Sequence, residues 1–210
     1  MGPPGVGKGT QARKLTQHLR VPHVSTGDML REAIHEGSAL GRRVRPFLES
    51  GQLVPDELME ELIAERLGRN DARGGFILDG FPRTPDQVAT LDRVLGRLGA
   101  TLDRAFVLVV PEDELVRRLS GRRVCPGCGA LYHIDSRAPA SPGICDACGS
   151  ALVQRADDQE GVVKHRLEVY RAQTLPVIRA FSDRSLHVEV DGTGDADGVF
   201  RRIDRGLRSA

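Results

Sequence analysis

The chain has 210 residues, with Lys+Arg at 30, Asp+Glu at 29 and a formal charge of +1. That length supplies one substantial core with room for smaller inserted lobes. The charge balance removes the broad electrostatic case for a nucleic-acid-binding or membrane-surface protein. No run approaches the ~18 apolar residues of a membrane-spanning helix, and no apolar signal region precedes the first motif, so a soluble, cytoplasmic protein is expected.

The first ten residues carry the strongest local signal. Gly2, Gly7 and Lys8 fit G-x-x-x-x-G-K, a loop whose backbone N–H groups wrap a polyphosphate while a lysine reaches its β and γ groups. Side chains at the glycines would hold the backbone off the phosphate oxygens or forbid the dihedrals that aim several N–H groups inward. Lys8 is one of only three lysines, with Lys14 and Lys164. Gly9 stands where Ser or Thr usually meets magnesium, and the hydroxyl follows at Thr10. Residues 11–20, with Ala12, Leu15 and Leu19 on one face, read as the helix that adds its positive end to the loop. A glycine-rich turn opening an ordinary helix is the plainer alternative.

Residues 22–25 form a short strand candidate running into Ser25-Thr26-Gly27-Asp28. Met29, Leu30, Ala33 and Ile34 then repeat at helical spacing up to Gly37, and Leu40, Val44, Phe47 and Leu48 mark a second helix ended by Ser50-Gly51. Residues 25–54 therefore read as a small helical lobe. Pro55 opens a longer helix carrying Leu58, Met59, Leu62, Ile63 and Leu67. Phe76-Ile77-Leu78 is a continuous apolar run, as in a strand buried on both faces, and it ends at Asp79-Gly80-Phe81-Pro82-Arg83. A helix over 86–98, a strand over 105–110 and a helix over 111–120 follow. A long helix starts near Asp157 and is expected to kink at Pro176. Residues 186–190 form the last strand, and Val199, Ile203 and Leu207 lie on the last helix. This alternation predicts an α/β doubly wound parallel sheet. Asp28, the 79–83 segment and Asp191-Gly192-Thr193-Gly194 all fall just after strands, which brings several polar clusters to one rim.

All four cysteines lie in the Gly- and Pro-rich segment 121–156. Cys125-x2-Cys128-x16-Cys145-x2-Cys148 has the paired-knuckle spacing of a tetrahedral zinc site. Four thiolates leave no open position for water, so such a metal is structural. A lobe this small needs that staple. Two disulfides or free thiols are the alternatives, and His133 is a possible substitute ligand.

Arginines recur beside the turns, at Arg31, Arg83, Arg118, Arg122, Arg155 and Arg166. Positive charge around moving oxygens, in-line geometry and exclusion of water are what phosphoryl transfer requires. In order along the chain, GPPGVGKGTQA, STGDMLR, GQLVPDEL, FILDGFPRT, RLSGRR, ADDQEGVVKHRLEVY and VDGTG resemble the adenylate kinase family over essentially the whole length. The four-cysteine segment resembles the long-lid, zinc-bearing bacterial type.

The resemblance implies a P-loop nucleoside monophosphate kinase fold. Its core is 1–24, 55–120 and 159–210, its monophosphate-binding lobe 25–54 and its zinc-bearing lid 121–158. It implies the reaction ATP + AMP ⇌ 2 ADP with magnesium, in a monomer without nucleic-acid or membrane partners. Gly5, Val6, Gly7, Lys8, Gly9 and Thr10 would bind ATP phosphates. Arg118 and Arg122 would hold ATP from the lid hinge, beside Leu131 and Tyr132, and Gly194 would offer a carbonyl to its adenine. Thr26, Arg31, Gln52, Leu53, Val54, Gly80, Phe81, Pro82, Arg83 and Gln87 would bind AMP. Arg155 and Arg166 would bridge toward AMP and the moving phosphate. With Lys8, Arg83, Arg118 and Arg122 they form the implied catalytic set, and Asp79 would position magnesium through water. Another monophosphate kinase (UMP or CMP as acceptor, GTP as donor) and a zinc-ribbon ATPase switch are the competing readings.

One expectation concerns the sheet. The P-loop of this resemblance hangs from a buried strand of about five apolar residues ahead of Gly2, whereas here only Met1 precedes it. The first central strand is therefore expected to be missing, and a working form a few residues longer is expected.

Overall fold

Short apolar runs bounded by Gly, Pro and Asp become strands, and amphipathic stretches between them become helices. A computed structural model describes residues 1–208. The first half comprises α1 (Lys8–Leu19), β1 (His23–Ser25), α2 (Thr26–His35), α3 (Ala39–Ser50), α4 (Asp56–Leu67), β2 (Ile77–Asp79) and α5 (Pro85–Leu98). The second comprises β3 (Ala105–Val109), α6 (Glu112–Ser120), β4 (Arg122–Val124), β5 (Leu131–His133), α7 (Glu160–Val169), α8 (Val177–Ser182), β6 (His187–Asp191) and α9 (Ala196–Arg208).

Local chemistry sets the helix ends. Ser25 caps α2 by accepting from Asp28 N–H at 3.3 Å, and Thr84 caps α5 by accepting from Gln87 N–H at 3.2 Å. Gly51 ends α3 in the left-handed region at φ 77°. The expected break at Pro176 is present. Beyond α7 the chain passes through a π-turn at Tyr170–Thr174 before α8 begins, because Pro176 has no N–H for the regular ladder.

The parallel strands pair as β1 with β2 and β3 with β6, and β4 pairs with β5 antiparallel in the cysteine segment. Among the described residues no strand lies between β2 and β3, so the parallel sheet is present as two halves. Each half has its own core. One joins Val24, Leu30, Val44, Ile63 and Leu91, and the other joins Val6, Leu108, Val163, Val190 and Ile203. Leu30 and Val44 come from α2 and α3, so the helical segment 25–54 shares its apolar interior with α4 and α5.

Between the halves lies a cavity of about 210 Å³, bordered by Leu78 of β2 and Phe106 and Leu108 of β3. This corrects one expectation. The sequence predicts a 76–78 strand buried on both faces, yet Ile77, Leu78 and Asp79 are all only half-buried. The apolar run has the composition of an interior strand, but the cavity stands where its second neighbour would cover it.

Helices α2 and α3 cross at Gly41. A Cβ there would sit 1.9 Å from Ala33 O, a backbone atom that already accepts from Ser38 N–H at 3.1 Å. Gly41→Ala should therefore destabilise the protein by ~1–3 kcal/mol, as overpacking does, despite the ~1 kcal/mol that helix propensity alone returns. Urea unfolding at constant m-value measures it, and an unchanged or raised midpoint would contradict the crossing geometry.

Candidate active site

Helix α1 begins at Gly7, which takes φ 100°, and no side chain caps its first turn. The open N–H groups and the positive helix end together make an anion site. Lys8 folds back over the loop, its Nζ donating to Gly2 O and Pro3 O at 2.8 Å each. Burial lowers its pKa to about 7, against the opposing pull of Asp79. Gly9 lies close to that carboxylate, since a Cβ on it would stand 3.5 Å from Asp79 Oδ2. His23 Nε2 stands 3.3 Å from the same oxygen. Burial pushes the Asp79 pKa up, but the His23 hydrogen bond and the Lys8 charge outweigh it and hold the pKa at about 2. Arg118 ties the loop to the segment after β6, donating to Val6 O at 3.4 Å and to Gly192 O at 3.2 and 3.3 Å, while Glu114 accepts its Nε at 2.9 Å. Gly194, at φ 87°, follows in that segment.

Two cavities meet at the carboxyl end of β2. The lining of one, of about 70 Å³, includes Thr26, Arg31, Gln52, Leu53, Val54, Gly80, Arg83, Gln87 and Arg166 of the expected AMP-binding set, beside Leu30, Met59 and Asp157 outside it. The other, of about 80 Å³, lies against Gly2, Pro4 and Lys8 and takes in Phe81 and Pro82. Arg83 and Arg166 line both. Gly80 permits the junction. It adopts φ 87°, and a Cβ there would fall 2.5 Å from Thr26 Oγ1 and 3.0 Å from Arg83 Nη2.

The cations are tightly placed. Arg31 pairs with Asp28 at 2.6 Å, and Arg155 reaches the same carboxylate at 3.9 Å. Arg166 pairs with Asp157 at 3.0 Å and touches Asp158 at 3.4 Å. Asp158 is fully buried and also binds Arg122 through both of its oxygens, with Nε donating at 2.7 Å. Burial lowers the pKa of Arg83 to about 10, with Arg166 adding to the shift. Arg155 is likewise lowered to about 10 by burial, then by Arg31 and Arg122. Both Arg83 and Arg155 remain charged at neutral pH. Cations crowded and buried together in a cleft mark a candidate anion site.

The family model described as Adenylate kinase matches residues 1–186. An adenylate kinase of Moorella thermoacetica is 51% identical over 99% of this chain and 95% of its own length. Those of Methanocella arvoryzae, at 46%, and Acidothermus cellulolyticus, at 45%, each cover 99% of this chain and 96% of their own. The chain belongs to the adenylate kinase family.

In this adenylate kinase family member the cysteine segment forms two similar turns. Gly129 N–H bonds Cys125 O and Gly149 N–H bonds Cys145 O, at 3.0 and 2.8 Å, and both glycines are left-handed, at φ 71° and 73°. The four Sγ atoms lie within 4.8 Å of one another, with Cys125–Cys148 at 3.3 Å and Cys128–Cys145 at 3.5 Å. Those spacings bracket the ~3.8 Å edge of a tetrahedron with 2.3 Å metal–sulfur bonds. The Cys128 thiol gains a backbone hydrogen bond from Ala130 N–H, yet the neighbouring thiols push it up to about 12. Burial raises Cys145, but the Tyr132 hydroxyl and nearby N–H groups bring it down to about 6. Four thiolates together need a cation, so the cluster could hold a metal. His133 stays out of it, its Nδ1 accepting from Asp135 and Ser136 N–H. Tyr132 packs into the cysteine cluster, its hydroxyl 3.6 Å from Cys145 Sγ, and Leu131 pairs with Val124 across β4 and β5.

Several positioning groups escaped the sequence reading. Asp56 Oδ1 accepts from Gln87 Nε2 at 2.6 Å and Asp56 Oδ2 from Thr84 Oγ1 at 3.0 Å, while Gln87 Oε1 accepts from Arg83 N–H at 2.7 Å. Asp56 thus fixes the amide of Gln87. Asp158 fixes Arg122 and Arg166 in the same way. The only signals were their places inside GQLVPDEL and ADDQEGVVKHRLEVY. Removing a buried carboxylate from its partners costs about 3 kcal/mol or more. Asp158→Ala should therefore lower the unfolding free energy by about that amount in denaturant titration, and a change below ~1 kcal/mol would refute its pairing role.

Proposed function

We propose that the cavity lined by Thr26, Arg31, Arg83 and Gln87 holds AMP and that ATP lies along the loop that carries Lys8, for a reversible phosphoryl transfer from ATP to AMP giving two ADP. The observation that carries this reading is that Arg83 and Arg166 line that cavity and also the adjoining one that reaches Lys8. Two guanidinium groups stand between a P-loop lysine on one side and a second polar cavity on the other, where a transferred phosphoryl group would be flanked by fixed positive charge.

In this reading Gly5, Val6, Gly7, Lys8, Gly9 and Thr10 hold the ATP phosphates through backbone N–H groups and the Lys8 ammonium. Arg118 and Arg122 brace ATP at the lid hinge. The backbone of Leu131 and Tyr132 flanks it, since the Tyr132 side chain serves the cysteine cluster, and Gly194 offers its carbonyl to the adenine. Thr26, Arg31, Gln52, Leu53, Val54, Gly80, Phe81, Pro82 and Gln87 hold AMP. Gln87, with Asp56 occupying one of its two amide donors and Arg83 N–H one of its acceptor positions, keeps one of each for the adenine edge. Arg83, Arg155 and Arg166 stabilise charge spread over the moving phosphoryl oxygens. Magnesium, where bound with ATP, supplies neutralisation of the polyphosphate. Asp79, beside the first turn of α1, is placed to orient it through water, which suits a cation that keeps several waters and takes one or two carboxylates. The segments 25–54 and 121–158 act as lobes that close over the substrates and exclude water.

Steady-state assays should give ADP from ATP plus AMP and none from ATP alone; equal turnover with UMP or CMP would reassign the acceptor. Arg83→Ala removes a preorganised charged donor and should lower kcat about 100-fold or more, ~3 kcal/mol. Lys8→Met should lose at least as much. A variant within threefold of wild type would remove that residue from the mechanism.

The same reading makes Cys125, Cys128, Cys145 and Cys148 a structural zinc site. Native mass spectrometry should find one zinc per chain. Cys145→Ser should lower the melting temperature more than it lowers affinity for AMP. Chelation that stopped chemistry while sparing the fold would point instead to a catalytic metal.

A further inference from the structure

Gln87 is almost wholly buried, and its side-chain amide is held from two sides. Arg83 N–H meets one atom of that amide at 2.7 Å, and Asp56 Oδ1 meets the other at 2.6 Å. A backbone N–H can only donate, so the atom it meets is the amide oxygen. A carboxylate only accepts, so the atom it meets is the amide nitrogen. The two partners therefore define a single orientation. Turning the amide over would set Nε2 against the Arg83 N–H and Oε1 against the carboxylate. Both bonds would be lost, one of them to a charged acceptor, and buried polar groups would be left facing like poles.

Asp56 owes its own placement to Thr84. Its Oδ2 accepts from Thr84 Oγ1 at 3.0 Å, and the same hydroxyl oxygen accepts from Gln87 N–H at 3.2 Å. Asp56 opens α4, Gln87 lies in the first turn of α5, and the two helices pack together. Three side chains thus close a ring of hydrogen bonds at the starts of two packed helices. Asp56 is not part of the wall of the cavity that Gln87 lines. Whatever it does to a ligand it does through Gln87.

Leu30, Leu48, Leu53, Val54 and Met59 give that cavity an apolar wall suited to the face of a flat base, and Gln87 brings a donor–acceptor pair to it. With one N–H and one lone pair committed, the amide keeps one N–H on Nε2 and one acceptor position on Oε1. Adenine matches this pair, because its edge sets a ring-nitrogen acceptor beside an amino donor. Hypoxanthine carries a ring N–H and a carbonyl oxygen in the same two places, so its donor and acceptor are exchanged. A free glutamine would serve both bases by rotating its amide half a turn. A glutamine pinned by Asp56 cannot.

We propose that Asp56 is a specificity-determining positioning residue, which locks the Gln87 amide in the orientation that accepts adenine and rejects its oxo counterpart. This rests on the assignment of the cavity to AMP. The test measures kcat/KM for AMP and for IMP in the full chain, with ATP as donor. The two acceptors differ only along that edge, so the shape of the cavity does not separate them. Wild type should favour AMP. Asp56→Ala should lower the AMP/IMP ratio at least about tenfold, as loss of one hydrogen bond to a charged acceptor does. The loss for AMP should fall on KM more than on kcat, with KM for ATP unchanged. Asp56→Asn keeps an oxygen for Gln87 Nε2 and offers an N–H to Thr84 Oγ1, and should restore most of the ratio. If Asp56→Ala does not fold, Asp56→Leu, of similar volume and without an acceptor, reads the same ratio. AMP and IMP falling together, with the ratio kept within about twofold, overturns the inference and leaves Asp56 a purely structural role. So does a ratio that Asp56→Asn fails to restore, since the acceptor oxygen is then not what sets it. A wild-type chain that forms no ADP from ATP plus AMP overturns the nucleotide assignment and this inference with it; ADP formation with an unmoved ratio overturns this inference alone.

Discussion

Holding like charges close together out of water is the constraint on which the rest of this site depends. Lys8, Arg31, Arg83, Arg122, Arg155 and Arg166 converge from five separate segments, and the carboxylates set among them are Asp28, Asp79, Asp157 and Asp158. Six cations against four anions leave a surplus of two. Burial is the main cause of the depressed pKa values of Lys8, Arg83 and Arg155, and the neighbouring cations add to it. Such a cluster is tolerable only on a rigid frame, and phosphate oxygens relieve it. In the proposed function the stress that the fold must contain is also what draws the substrate in.

The carboxylates orient more than they neutralise. Asp158 receives Arg122 in a bidentate grip and steadies Arg166 from the same buried position, so β4 and α7 are fixed relative to one another. Asp28 does this more loosely for Arg31 and Arg155, linking α2 to the end of the cysteine segment. Gly51 leaves room for Arg166 of α7, since a Cβ there would stand 2.7 Å from Arg166 Cγ. Buried charge pairs contribute little net stability but strongly penalise misplacement, which suits groups whose task is geometry.

What could be read from the chain beforehand was whatever a single short segment must do by itself. The glycines and Lys8 of the loop, the turn at Gly80–Arg83 and the cysteine knuckles each carry their physics within about ten residues, and the elements around them follow from local periodicity. Pairings across longer separations left no such trace. The Asp56–Gln87 bond joins residues 31 apart, and the Asp158–Arg122 pair residues 36 apart; aspartates at these positions look like any solvated acid until the fold brings the partner. The closeness of α2 and α3 at Gly41 was equally hidden, because a glycine in a helix reads as a mild defect rather than as a crossing point. For β2 the composition was informative and the surroundings were not: its apolar run matches a strand covered on both faces, and only the topology reveals the cavity beside it.

That cavity bears on the site through α1. The helix packs against β1 and β2 on one side and α9 on the other, so it is the element that spans the two halves of the sheet. Its first turn carries Lys8 and Gly9, and its loop is held at the opposite end by the Met1 bonds to β3. Any change in the separation of β2 and β3 is therefore felt as a shift of the loop relative to Asp79, which belongs to β2. Phosphoryl transfer depends on placement more than on reactive side chains. The filling of the sheet interior and the aim of Lys8 are in this way one structural problem, and the apolar contacts that set the spacing of the halves also set the geometry of the charged groups at their rim.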